Sequence, residues 1–293
     1  MITLGVTMGP IKSILMHMDD SPACATRLRF TNLLAEQYDA LATAQYSVLP
    51  AFMQYALAFS AGAELAPLMQ EYETQRRLRT RALFDSTAGT GTARLMPRIE
   101  WAERVGEPVW QFSSDALVAD LLVLGQHDPD RHGLIDAPPS GVPPDFATAV
   151  MFASGKPALL LPRIYEPAPI GRVVLVAWKP TRESARALAA ALPFLQRAEC
   201  VHLATWADAD SRDGLASPDV ESSLRRHGVN VIVHHDAAPA REVGELLLSR
   251  AADTGADLLV MGCYGHNRAR EWALGGASRT ILDSMTLPVL MSH

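Results

Sequence analysis

"ADLLVLGQ" (Ala119–Gln126) and "ADLLVMGC" (Ala256–Cys263) are nearly the same eight residues, written twice in one chain of 293. Each is an apolar run closed by a glycine, Gly125 or Gly262, as expected of a strand buried on both faces that ends in a tight turn. Each is followed, after a proline, by another apolar run: "KPALLLP" (Lys156–Pro162) and "LPVLMS" (Leu287–Ser292). Each is preceded by an opening strand: "SILMHMDDS" (Ser13–Ser21) and "RVVLVAWKPT" (Arg172–Thr181). One long repeat, present twice, accounts for all of this. The proline-rich "RIYEPAPIG" (Arg163–Gly171) reads as the link, so domains are expected over 1–165 and 166–293.

Within each half, short apolar runs alternate with longer amphipathic ones. In the second half, "TRESARALAAALPFLQRA" predicts a helix with Thr181 as N-cap and Ala185, Leu188, Ala189, Leu192 and Leu195 on its apolar face. "ECVHLATW" and "VNVIVHH" read as strands. "SPDVESSLRRHG" and "AREVGELLLSRAADTG" read as helices closed by Gly228 and Gly255. The order βαβαβαβ, plus a last helix and strand, predicts an α/β class of two tandem, open, parallel, Rossmann-like sheets with helices on both faces. Ligands of such sheets sit beyond the carboxyl ends of the strands.

Composition narrows the field. The chain is 48% hydrophobic and 20% charged with a formal charge of −6, and no basic stripe suggests nucleic acid. Cys24, Cys200 and Cys263 are few, odd in number and far apart, which fits a reducing cytoplasm. "MITLGVTMGPIK" lacks the features of a signal peptide. "AFMQYALAFSAGAELAPLM" (Ala51–Met69) carries Gln54, Glu64 and Pro67, too interrupted for a membrane span, and reads as a core or interface helix.

The second repeat runs on through "MGCYGHNRAREWALGG" (Met261–Gly276) into a helix expected near Ala277. Free backbone N–H groups and a helix dipole there suit an anion. The spacing is Gly262, two residues, Gly265, nine residues, Gly275, which is neither the P-loop nor the dinucleotide fingerprint. It resembles the nucleotide loop of the universal stress protein family, and the opening strand with "DDSP", the "ADLLVMG" strand and the terminal "PVL" strand resemble that family too. The resemblance covers nearly the whole chain, twice. It implies a HUP-type fold, a loop that holds ribose and phosphates, and an Asp at the end of the first strand that helps hold the nucleoside. It also implies a non-catalytic binding or signalling module of the stress response.

The halves depart from that pattern in opposite ways. The first keeps the acid, Asp19, but Pro144 and Asp145 stand where the second has Gly275 and Gly276. Proline removes a donor, and a carboxylate there would cap the helix and repel phosphate. The second half keeps the loop but has Lys179 at the acid's position. ATP or another adenine nucleotide, with Mg²⁺ if ATP binds, is therefore expected in the second half only. The candidate contacts are Gly262, Gly265, Arg268, Gly275, Gly276 and Ser278; the alternative is a turn retained without a ligand.

Several bland readings compete with sharper ones. Asp19 reads as an N-cap before "SPACATRL", and Lys179 as a solvated charge. "HDPDRH" (His127–His132) and the run His234, His235, Asp236 read as loop or strand-end polar residues rather than metal ligands. Cys263 reads as a small buried residue rather than a redox thiol, and Trp206 either stacks on a base or packs in the core. A nucleotide hydrolase, a nucleotidyl transferase and a ligand-free scaffold remain as alternatives. The two apolar end strands are expected to pair within the chain, a homodimer is left open, and no membrane partner is expected. The span from acid to loop glycine is 106 residues in the first half and 83 from Lys179 in the second. The extra residues fall around 50–85 and predict a helical extension that covers the first half's cleft or contacts a second chain.

Overall fold

The computed structural model describes residues 11–48, 65–88, 98–129, 142–207, 219–237, 242–263 and 276–293. The first half runs β1 (Ser13–Met18), α1 (Ala23–Tyr38), β2 (Leu41–Val48), α2 (Leu65–Ala88), β3 (Ile99–Val105), α3 (Pro108–Ala116), β4 (Leu121–Gly125), α4 (Phe146–Ser154) and β5 (Ala158–Leu161). The second repeats the order: β6 (Val173–Trp178), α5 (Arg182–Leu195), β7 (Cys200–Ala207), α6 (Val220–Arg226), β8 (Val231–Ala237), α7 (Val243–Thr254), β9 (Leu258–Gly262), α8 (Gly276–Ser284) and β10 (Val289–Ser292).

The strands form one sheet in the order β3-β2-β1-β4-β5-β10-β9-β6-β7-β8. Every neighbouring pair is parallel except one: β5 and β10 run antiparallel, with Leu160 opposite Val289 and Leu159 opposite Leu290. The expected pairing through the end strands is therefore present, and it fuses two five-stranded sheets into one. Each half thereby loses an apolar edge that would otherwise invite association. The runs "ALLL" and "VLMS" are buried throughout, which is why they lack the alternation of a one-faced strand.

Two apolar layers cover the sheet. On one face α1, α2, α5 and α6 pack around Leu28, Leu34, Phe84, Phe194 and Leu224. On the other α3, α4, α7 and α8 pack around Phe112, Met151, Leu247 and Ile281. The halves also touch beside the seam. Gln126 Nε2 donates to the carbonyls of Leu282 and Asp283 at the end of α8, at 2.9 and 3.0 Å. Tyr38 meets Phe194 edge to face, with ring centroids 5.1 Å apart.

The aspartate of each repeated phrase has a structural task. Asp120 Oδ2 accepts from the backbone amides of Lys12 and Ser13, both at 2.9 Å. Asp257 accepts from Gly171, Arg172 and Val173 at 2.7, 3.0 and 3.3 Å. Each carboxylate thus fixes the start of its half's opening strand beside the strand that follows it in the sheet. Amides at the beginning of a strand have no ladder partner of their own, and a charged acceptor satisfies several at once.

Two details differ from the sequence reading. In α5 the buried residues include Ser184, Ala187, Ala191, Phe194 and Leu195, whereas Ala185 and Ala189 are exposed. The bulk of Phe194 turns the helix toward the sheet and the small alanines do not compete. Thr181 does cap α5, accepting from the Ser184 amide at 3.2 Å. The extra residues of the first half do not cover the cleft where they are described: α2 is the crossover from β2 to β3, far longer than its counterpart α6, and it packs on α1 and β2. Residues 49–64 lie outside the described residues. No described helix is long and apolar enough to cross a membrane.

Replacing Asp257 with Ala strands three strand-entry amides. The expected loss is about 2–4 kcal/mol of unfolding free energy, since bonds to a charged group are worth roughly 1.5–3 kcal/mol each and are not additive. Urea denaturation measures it, and a loss below about 0.5 kcal/mol would contradict the role assigned to this carboxylate.

Candidate functional site

At the carboxyl ends of β1 and β4, where the strand order reverses, the first half has a cleft lined by His17, Asp19, Ser21, Arg27, Gly125 and the start of α4. Asp19 is not the helix cap expected from sequence: α1 begins after Pro22, which makes no side-chain cap bond. Asp19 Oδ1 instead accepts from the Ser21 amide at 2.9 Å, and Oδ2 lies 2.9 Å from Arg27 Nη2. Arg27, 3% exposed, also donates from Nε to the His17 carbonyl at 2.8 Å. Burial raises the Asp19 pKa, but the Arg27 guanidinium, His17 and the two Ser21 donors outweigh it and hold the carboxyl well below the usual range.

Arg27 also explains Gly125. A Cβ at that position would collide with Arg27 Nη1. The first half's family-type acid and its strand-end glycine are thus both covered by a side chain of α1. The expected capping of α4 by Asp145 is also absent: that side chain makes no cap bond. What fills this cleft is therefore Arg27, and not a carboxylate cap on α4.

The second half is built differently at each equivalent position. Lys179, at the place of Asp19, is exposed. Ala187, on the turn equivalent to Arg27, is buried. Gly262 is needed for another reason: a Cβ there would lie 2.5 Å from the Ser184 amide nitrogen and 2.6 Å from the Glu183 carbonyl carbon, so the backbone of α5 rests on it. Gly276 is the first residue of α8, and Ser278 is buried in its first turn. Gly265, Arg268 and Gly275 lie outside the described residues. Trp206 packs against the core, as one of its two readings held, yet its Nε1 is buried without an acceptor among the described residues, and so is that of Trp178 at the end of β6.

The other polar candidates resolve as follows. Cys263 is buried, its thiol 3.4 Å from the Ser292 carbonyl, and burial pushes its pKa up to about 12, which removes thiolate chemistry. Asp128 pairs with Arg163 at 3.0 Å; residues 130–132 lie outside the described residues. His234 joins a chain that sequence reasoning missed, because its members come from three elements. Arg250 Nη1 lies 3.1 Å from His234 Nδ1, His234 Nε2 lies 2.8 Å from His202 Nδ1, and His202 Nε2 lies 3.6 Å from Cys200 Sγ. A guanidinium only donates, so the chain runs one way, from Arg250 through two neutral imidazoles to the thiol. Burial, His234 and Arg250 accordingly lower the His202 pKa. Among the described residues no group of three or more His, Cys, Asp or Glu could hold a metal ion.

His17 gives the site a pH dependence. It is 3% exposed, with Phe112 and Phe146 against its ring. Burial drives its pKa down to about 3, Asp19 opposing and Arg27 assisting. The folded value lies below the unfolded value of about 6.5, so the unfolded chain binds more protons between the two, and stability falls as pH drops through that window. At pH 5 the cost is about 2 kcal/mol. Urea unfolding at pH 7.5 and pH 5 should show this loss in the wild type and most of it gone in His17→Ala; equal slopes in both would contradict it.

Neither the family models nor the curated proteins compared with the chain give a match. Solved structures do. A universal stress protein from Archaeoglobus fulgidus DSM 4304 superposes over 95% of this chain and 94% of its own, with a TM-score of 0.64 at 15% identity. A protein of unknown function from Pseudomonas aeruginosa PAO1 superposes over 97% and 92%, with a TM-score of 0.53 at 15% identity. At such identity the likeness concerns the fold, and its coverage takes in both halves and the seam between them. The chain carries the universal stress protein fold twice, joined into a single sheet.

Proposed function

We propose that this chain is a tandem universal stress protein, a stress-response binding or signalling module, in which the second half alone takes ATP or another adenine nucleotide. The observation that carries this reading is the asymmetry at the strand ends. In the first half Arg27 covers both Asp19 and Gly125. In the second, a buried alanine stands at that position and α8 opens on a glycine. Free amides at a helix start suit phosphate, and Gly265, Gly275 and Gly276 would let the backbone approach it, with Gly262 at the turn that seats α5. Arg268 and Ser278 are the proposed helpers. Mg²⁺ would enter as the counter-ion of the bound phosphates. The missing first-strand acid weakens the nucleoside contact by about 1.5–3 kcal/mol, tenfold or more in affinity. A cytoplasmic location and the absence of a nucleic-acid partner belong to the same reading.

Calorimetric titration of ATP into the intact protein and into Gly276→Asp tests it. Weak binding to the first, with a Kd in the high micromolar range or above, and at least tenfold weaker binding to the second are expected. Equal affinity in both would remove α8 from the site, and no heat in either would leave a fold without this ligand. Phosphate release above background would favour the hydrolase alternative instead.

A further inference from the structure

The three cysteines sit in different surroundings. Cys24 and Cys263 are buried, and burial pushes each thiol up to about 12. Cys200, the first residue of β7, is only half-buried. It lies at the amino edge of the sheet, on the far side from the strand ends where nucleotide is proposed to bind. His202, two residues on, shares its face of the strand. His234 joins them from β8 and Arg250 from α7. Glu199, the neighbouring carboxylate, pairs with Arg172 at 3.3 Å. The first half is an internal control. Strand register puts Leu41, Thr43 and Ala102 where the second half has Cys200, His202 and His234. The same strands thus form without a thiol or an imidazole at any of the three positions.

The direction of the hydrogen bonds decides what this cluster can do. Arg250 Nη1, 3.1 Å from His234 Nδ1, has only protons to offer, so Nδ1 accepts and the His234 proton sits on Nε2. That nitrogen, 2.8 Å from His202 Nδ1, then donates, which places the His202 proton on its own Nε2. The His202 N–H faces Cys200 Sγ at 3.6 Å. Burial, His234 and Arg250 lower the His202 pKa and keep the ring neutral, as this alternation requires. Two chemistries are separated by it. A metal ion would need the lone pair of His202 Nε2, where the chain puts a proton. A nucleophilic sulfur needs a donor, since an N–H binds a thiolate more strongly than a thiol, and the thiolate is the form of cysteine that attacks electrophiles.

We propose that Cys200 is a modification site, a nucleophilic thiol served by the chain His202–His234–Arg250 and oxidised by a peroxide to the sulfenic acid. It is independent of nucleotide binding. The thiolate attacks one peroxide oxygen, and the S–O bond forms as the O–O bond breaks. Sulfur gives up two electrons, and the leaving hydroxide takes a proton from solvent. Cys24 and Cys263 are buried in other elements, so the sulfenic acid persists until an external thiol meets it. To test this, the full chain is treated with hydrogen peroxide at pH 7, sulfenic acid is trapped with dimedone, and the labelled peptides are quantified by mass spectrometry. Adduct on Cys200, and not on Cys24 or Cys263, is expected to form about tenfold faster in the folded chain than at the same cysteine in urea. His202→Phe removes the donor, and Arg250→Met removes the group that orients the chain. Each should slow labelling by about fivefold or more with the circular dichroism unchanged. A folded rate equal to or below that in urea, label on Cys24 or Cys263 in place of Cys200, or an unchanged rate in either folded variant would overturn the proposal. If both variants fail to fold, the comparison of the folded with the urea-unfolded wild type decides.

Discussion

The ion pair between Arg27 and Asp19 is the contact on which the difference between the halves depends. It lies one turn into α1, at the point where the sheet changes direction and ligands of this architecture collect. Breaking a buried pair by removing one partner costs about 3–5 kcal/mol, because the other charge is left without compensation. The pair is therefore committed to structure. Asp19, which the family resemblance marks for a ligand, is engaged by Arg27 and Ser21, and Gly125, a point of close backbone approach, is covered by the same guanidinium. A nucleotide would have to displace a buried cation from its carboxylate before meeting either.

The skeleton that carries this asymmetry is nearly symmetric. Asp120 and Asp257 hold the two opening strands in the same manner, and β5 and β10 meet in one antiparallel seam. The seam makes each half the other's edge cover, so among the described residues the outermost strands are β3 and β8. Around it, Gln126 from the first half reaches the last carbonyls of α8 in the second. The element that opens the second half's candidate site is thus anchored at its far end by the first half.

Much of this was legible in the sequence. The repeated "ADLLV" phrase fixed the strands, their burial on both faces and the doubling, because hydrophobic runs of that length report local packing directly. The seam followed from two apolar end strands that needed a partner. The helix face of α5 was read wrongly because alanine fits either side of a helix, and one distant aromatic, Phe194, decided the matter. Arg27 was missed because an arginine in an amphipathic helix usually faces water. Its signal was present all the same: it shares the 24, 27, 28, 31, 34, 35 stripe that α1 buries, eight residues beyond an aspartate. The chain from Arg250 to Cys200 had no such local signature, since strand register alone brings His202 beside His234.

The claim that Arg27 closes the first half and leaves the second open is tested most directly by photolabelling. The intact chain would be irradiated with 8-azido-ATP and the labelled peptides identified by mass spectrometry, with excess ATP as competitor. Competable label confined to peptides from 172–207 and 242–293 is the predicted result. Competable label on peptides from 11–48 or 121–150 would show nucleotide in the cleft that Arg27 fills, and would contradict it.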